Sequence, residues 1–200
     1  CIRDSTMSAE EDKKIEEYKL KYNLVPENDP ILHKRIEEFD FNNPPVDPEE
    51  LAIDVINHMG ALGGIGLSAN QLGLPYRMFT MAGEPPFACF NPRITFADEE
   101  DILLDEGCLS FPLLWLKIKR PKMVRVRFQD PYGNWCTKRF VGMAARIFQH
   151  EMDHMEGLDY TRLVSKFVLD RAITKRKKLY RKKMKILKQN MNILRKKEKK

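Results

Sequence analysis

Gln149-His150-Glu151-Met152-Asp153-His154 constrains this chain more than any other stretch. On a helix, residues four apart project from one face, so His150 and His154 set two imidazoles one turn apart. Two such rings suit one divalent ion, and Glu151 beside the first suits proton transfer. Ala144, Ala145, Ile147, Phe148 and Met152 make this helix too apolar to lie loosely on a surface. A buried helix needs its polar side chains paired or metal-bound. The motif therefore predicts a central helix carrying the site of a metal-dependent hydrolase.

Around that helix the punctuation is clear. Asp47-Pro48-Glu49-Glu50 has the composition of a helix start, and the apolar positions Leu51, Ile53, Val55, Ile56 and Met59 continue it up to Gly60, Gly63 and Gly64. From Tyr76 the periodicity shortens. Tyr76–Met81, Phe87–Phe90 and Ile102–Leu104 are short apolar runs, and Val124, Val126 and Phe128 alternate with Arg125 and Arg127 as in a half-buried strand. Asp130-Pro131-Tyr132-Gly133-Asn134 predicts a hairpin turn returning through Trp135–Val141. The motif helix is expected from about Gly142 to Glu156, with Gly157 as its stop. The fold class is α+β: antiparallel strands packed around the central helix, with a basic C-terminal helix.

Net charge is +6, unevenly spread. Residues 162–200 hold 17 Lys and Arg against two acids, a net +15, leaving 18 basic against 27 acidic side chains, −9, on the rest. Three parts follow: an N-terminal arm over residues 1–27, a metal-dependent domain over 28–165 and a basic amphipathic helix over 166–200. Met7 is a candidate start, and the six residues before it are set aside. Residues 8–23 are expected to form an exposed helix or a partly ordered arm. No apolar run is long enough to span a membrane and no secretory signal pattern opens the chain. Cys1, Cys89, Cys108 and Cys136 have no paired spacing, which points to a reducing intracellular compartment, the cytoplasm or an organelle.

A hydrolytic metal site takes three protein ligands and leaves one position for water. His33, His58, Cys89, Cys108, Cys136 and several acids could supply the third. Cys108 stands out because Gly107 beside it lets the backbone approach a neighbouring element.

Three segments together, Gly64-Ile65-Gly66-Leu67-Ser68-Ala69-Asn70-Gln71, Glu106-Gly107-Cys108-Leu109-Ser110 and the histidine motif, resemble the polypeptide deformylase family in order and spacing. The resemblance runs from about Asp29-Pro30-Ile31-Leu32 to the Asp159–Val164 region. It implies removal of the N-terminal formyl group from formyl-methionine of nascent polypeptides, with release of formate. It implies that Cys108, His150 and His154 bind the metal, that Glu151 is the general base and acid, and that Gln71 and the backbone N–H of Leu109 receive the oxyanion. Ser68 departs from the alanine common in that segment. Gly64, Ile65 and Gly66 would present a bare backbone edge to the substrate peptide. Ile65, Leu109, Ile147 and Met143 would line a pocket for the methionine side chain. Arg120 is expected to pair with Glu106 or Asp153.

One thiolate and two imidazoles suggest zinc by ligand type. The resemblance implies Fe(II) as the working ion, with zinc, nickel or cobalt able to take its place. In the tail, Tyr180, Met184, Leu187, Met191 and Leu194 form an apolar stripe on the basic helix, to dock on the enzyme itself or on a helical partner. Its clusters, Lys175-Arg176-Lys177-Lys178 and Arg181-Lys182-Lys183, favour a polyanion. The resemblance to deformylases, which act on chains emerging from ribosomes, implies ribosomal RNA first, with an anionic membrane surface second. Two other readings compete, a metallo-endopeptidase using the same helix motif and a catalytically idle ribosome- or RNA-binding protein.

Overall fold

Proline and acidic caps place the first helix. In a computed structural model that describes residues 20–197, with side chains through Met191, the Asp47 carboxylate accepts from the Glu49 and Glu50 amides at 2.8 and 3.0 Å. Pro48 follows at the first position, where its missing N–H costs nothing, and α1 runs Pro48–Ala61. The helix expected over residues 8–23 lies mostly outside the described residues.

Seven strands follow: β1 (Gly66–Ser68), β2 (Met78–Met81), β3 (Phe87–Ala97), β4 (Asp101–Cys108), β5 (Phe111–Pro121), β6 (Met123–Gln129) and β7 (Trp135–Val141). β1, β2, β3, β6 and β7 lie side by side in that order as one antiparallel sheet, while β4 and β5 form a separate hairpin. The motif helix α2 (Met143–Met155) and the long tail helix α3 (Lys166–Lys197) complete the chain. Gly157 ends α2 at φ 69°, where a Cβ would also stand 2.5 Å from the Lys34 carbonyl carbon, so glycine is needed there twice over.

Each sheet face has its own helix. Leu51, Val55 and Met59 of α1 pack with Leu67, Met78, Ala88 and Phe90 on one side. Ala145, Phe148 and Met155 of α2 pack with Phe79, Cys89, Val124, Val126 and Phe128 on the other. A third cluster joins Leu114, Leu116 and Ile118 of β5 to Tyr160, Leu169, Ala172 and Ile173, which seats the first turns of α3 on the hairpin. Beyond them Arg176 donates to the Pro112 carbonyl and pairs with Glu27. The stripe Tyr180, Met184, Leu187 and Met191 is exposed, so it does not dock on this chain's described surface; the Leu194 side chain lies outside the described residues.

Two strands are longer than their apolar runs suggest. β3 continues past Phe90 because Arg93 and Phe96 pair with β6 while facing solvent. β5 alternates buried Leu114, Leu116 and Ile118 with exposed Trp115, Lys117 and Lys119, which only the hairpin partner makes a strand.

Candidate active site

The helix α2 delivers His150 and His154 to the end of the cleft where the β4–β5 turn brings in Cys108. One ligand atom from each of these three residues lies within 4.8 Å of the others. Cys108 Sγ is 3.3 Å from His154 Nε2. His150 turns its Nδ1 to Glu106 Oε2 at 3.1 Å, which leaves Nε2 for an ion. A sulfur and two ring nitrogens, with no fourth protein donor among the described residues, fit a hydrolytic metal centre. His33, His58, Cys89 and Cys136 lie elsewhere: His58 accepts from the Tyr22 amide, His33 faces Asp159, Cys89 is in the core and Cys136 is on β7.

The charges agree with a cation site. Burial pulls the His150 pKa down, but hydrogen bonds to Cys108 and Glu106 and the negative charge of Cys108 and Glu151 prevail and raise it to about 10. The same negative surroundings would favour a metal cation at Nε2 in place of the ring's second proton. Burial drives His154 the other way, well below the ordinary histidine value, helped by the charges of His150, Arg120 and His33. Its ring stays neutral, as a metal ligand must be. Burial raises Glu151 to about 7 against the pull of His150, the range that suits a proton carrier at neutral pH. Glu151 is buried and its Oε2 has no protein partner among the described residues.

Glycine lets the strand approach this carboxylate. A Cβ on Gly66 would collide with Glu151 Oε1 and stand 2.9 Å from Ile147 Cγ2, and one on Gly64 would stand 2.9 Å from Leu109 Cδ1. Gln71 follows on a short turn, Ala69–Leu72. Its Oε1 accepts from the Ser68 amide at 3.0 Å, while its Nε2 is 3.3 Å from Cys108 Sγ and donates to Ser110 Oγ at 3.0 Å. The Ser68 hydroxyl lies within hydrogen-bond distance of both Asn70 Oδ1 and Gln71 Oε1. With its oxygen held by the Ser68 amide, the Gln71 side chain turns its N–H side toward the cysteine.

Arg120 meets both expected acids, binding Glu106 through two nitrogens at 2.6 and 2.9 Å and Asp153 at 2.8 Å. Arg146 was not singled out from the sequence. It donates to Glu106 at 2.6 Å and to the carbonyls of Ile118 and Ile102 at 2.8 and 2.6 Å. Its signal was its place one turn before His150, a charge on the buried side of an apolar helix. Asn70 is another, holding the His154 carbonyl at 2.8 Å. These residues surround a cleft of about 460 Å³ lined by Gly64, Ile65, Gly66, Gln71, Cys108, Leu109, Met143, Ile147, His150 and Glu151.

Sheet, motif helix and cysteine hairpin together define a metal-dependent hydrolase of the α+β class. The polypeptide deformylase family profile matches residues 21–168. A peptide deformylase from Thermotoga petrophila is 36% identical over 167 residues, which is 82% of this chain and 94% of that protein. The crystal structure of the Thermotoga maritima peptide deformylase superposes with a TM-score of 0.66 at 36% identity, covering 72% of this chain and 97% of that one. That of Plasmodium falciparum gives 0.69 at 30% identity, covering 80% and 96%. This chain belongs to the polypeptide deformylase family, the metal-dependent enzymes that take the formyl group from the N-terminus of nascent polypeptides. Among the described residues no helix is long and apolar enough to cross a membrane.

Proposed function

We propose that the chain deformylates formyl-methionyl peptides with Cys108, His150 and His154 holding Fe(II), Glu151 moving the proton, and Gln71 with the Leu109 amide receiving the oxyanion. The carrying observation is the convergence of one thiol and two imidazoles beside a buried carboxylate oxygen that has no hydrogen-bond partner among the described residues. When bound, the ion polarises the formyl carbonyl and brings the pKa of water from 15.7 towards about 7. Zinc, nickel or cobalt suits the same donors.

The peptide enters along β1. This strand ends the five-stranded sheet, and its inner edge is already used by Met81 and by the Ala82 amide, which donates to the Ile65 carbonyl at 2.9 Å. Its other edge takes the substrate backbone as an added strand at Gly64, Ile65 and Gly66. Ile65, Leu109, Ile147 and Met143 then surround the methionine side chain. Gln71 suits the oxyanion because a neutral amide donates without adding charge next to His150 and Cys108. Glu151 takes a proton from the attacking water and returns it to the departing amine, leaving formate and a free N-terminus. An endopeptidase of the same motif takes His or Glu as its third ligand, and Cys108 at that place speaks for the deformylase reading.

The basic tail is the second part of the proposal. Its exposed stripe and its lysines and arginines beyond Arg176 suit ribosomal RNA, with an anionic membrane as the alternative.

The test of the chemistry is formate release from formyl-Met-Ala under anaerobic conditions with ferrous ion. Glu151→Gln is expected to keep its metal and lose nearly all turnover; undiminished turnover would refute the assignment.

A further inference from the structure

The sheet face opposite α2 changes character along its length. Over β1–β3 it is apolar and covered by α1. Farther across, that cover stops and arginines and aromatic rings replace it. The register sets Arg93 opposite Arg127 and Phe96 opposite Arg125, then Arg125 opposite Arg139 and Gln129 opposite Trp135. Cross-strand partners share a side, so all of these project from one surface. The other side of β6 is Val124, Val126 and Phe128, buried against α2.

Two pairs of like charges thus stand directly across from each other, which destabilises a sheet. A face with only a structural role has no need of them. Arg93 has a carboxylate partner, Glu38 at 2.7 Å, but among the described residues no carboxylate pairs with Arg125, Arg127 or Arg139. Two of these guanidiniums lie over rings instead. Arg127 is 4.5 Å from the Trp135 centroid and Arg125 is 5.3 Å from that of Phe96. A stacked guanidinium keeps its N–H edge available for phosphate. Trp135 and Phe96 are themselves 45% and 46% exposed, so a base can reach them.

We propose that Arg93, Phe96, Arg125, Arg127, Trp135 and Arg139 form a binding surface for single-stranded RNA. The cationic edges take the phosphates, and the rings and guanidinium planes take unstacked bases, as open sheets do when they bind single strands. Charge alone would suit any polyanion. The paired aromatics select one with flat, apolar bases, which neither a sulfated polysaccharide nor a lipid headgroup offers. The choice of RNA over DNA rests on the deformylase reading, because a nascent chain is made on an RNA-rich machine.

The experiment uses the full chain and a fluorescein-labelled oligouridylate of twelve nucleotides, read by anisotropy over a salt series, with heparin and phosphatidylserine vesicles as competing probes. Trp135→Ala is expected to weaken oligouridylate binding roughly tenfold, the scale of one lost base stack, and to leave heparin binding unchanged. Arg125→Ala/Arg127→Ala/Arg139→Ala is expected to flatten the plot of log affinity against log salt by about 2, at about 0.7 per phosphate contact on a single strand. Formate release and thermal midpoint, measured on the same samples, show that each variant is folded. Absence of formate release from the unmodified chain would sink the catalytic reading and with it the preference for RNA over DNA, while the single-strand surface itself is judged by anisotropy alone. Oligouridylate affinity and salt slope unchanged in both variants would overturn the proposal. So would an equal loss of heparin binding in Trp135→Ala, or vesicle binding through this face without RNA binding.

Discussion

Glu106→Gln tests the reasoning most directly, because shape is kept and only charge and one acceptor are lost. The Glu106 carboxylate is 5% exposed and receives Arg120 at 2.6 and 2.9 Å, Arg146 at 2.6 Å and the His150 Nδ1 at 3.1 Å. Burial alone would raise its pKa, yet His150, Arg120 and Arg146 together hold it well below the usual carboxylate range. An amide in its place has a single oxygen for these donors and turns an N–H₂ group against the rest. Breaking a buried ion pair costs about 3–5 kcal/mol. Here Arg120 keeps Asp153 and Arg146 keeps two backbone carbonyls, so a loss of about 2–3 kcal/mol is expected. At about 2–4 °C per kcal/mol for a domain of this size, the thermal midpoint should fall by roughly 5–10 °C. Metal affinity, read by competition with a chromogenic chelator, should drop about 10–100-fold, since Glu106 fixes the ring of one ligand. The control is Glu100→Gln, whose pair with Lys122 at 3.0 Å is largely exposed and should be worth about 0–1 kcal/mol. If Glu106→Gln matched that control in both stability and metal affinity, the buried network would not hold the site.

The other predictions follow from close contacts and exposed charge. Gly66→Ala puts a methyl against the Glu151 carboxylate and Ile147, so turnover should fall about 100-fold with metal retained, as for a reacting group moved by about 1 Å; equal kcat by formate release would contradict the geometry. Gln71→Ala removes the amide aimed at Cys108 and should lower kcat about 10²–10³-fold with little change in KM; a change confined to KM would mean that Gln71 only binds substrate. Truncation after Lys178 removes ten Lys and Arg beyond the turns of α3 seated on the hairpin. Formate release from a short peptide should survive, while ribosome binding by sedimentation should weaken and lose salt dependence; unchanged binding would end the tail proposal.

Local chemistry was the most legible part of this sequence. The Asp47 cap, the hairpin turn at Asp130–Asn134 and the stop at Gly157 are each set by one or two residues, and each stands where those residues predict. The α+β class was legible too, because α2 combines an apolar flank with a polar motif. The β4–β5 hairpin was read only at Ile102–Leu104, since Lys117, Lys119 and Pro112 interrupt its apolar signal and its pairing is its support. Within the site, spacing alone brings His150 and His154 together, whereas Cys108 is 42 residues upstream of His150 and its meeting with them depends on tertiary structure. Arg146 escaped notice because a lone arginine on a helix ordinarily faces water. Its partners are two carbonyls and a carboxylate of the hairpin, none of them visible as a local pattern.

That position of Arg146 explains how a site split between two elements is held to tolerance. Cys108 belongs to a two-stranded hairpin outside the main sheet, and a hairpin alone is marginal in water. Leu114, Leu116 and Ile118 secure its far side through Tyr160 and α3. Its near side is fastened to α2 by charge: Arg146 and Asp153 come from the helix, Glu106 and Arg120 from the two strands. The same Glu106 that closes this clamp also orients His150. Apolar packing would hold the two elements together with more freedom to slide, because it is not directional. Four charged groups with fixed hydrogen-bond directions set hairpin against helix in one register, and the thiol and the two rings inherit that register. Stability and metal affinity should therefore fall together when Glu106 is changed, and a variant that lost one without the other would separate the clamp from the ligand support.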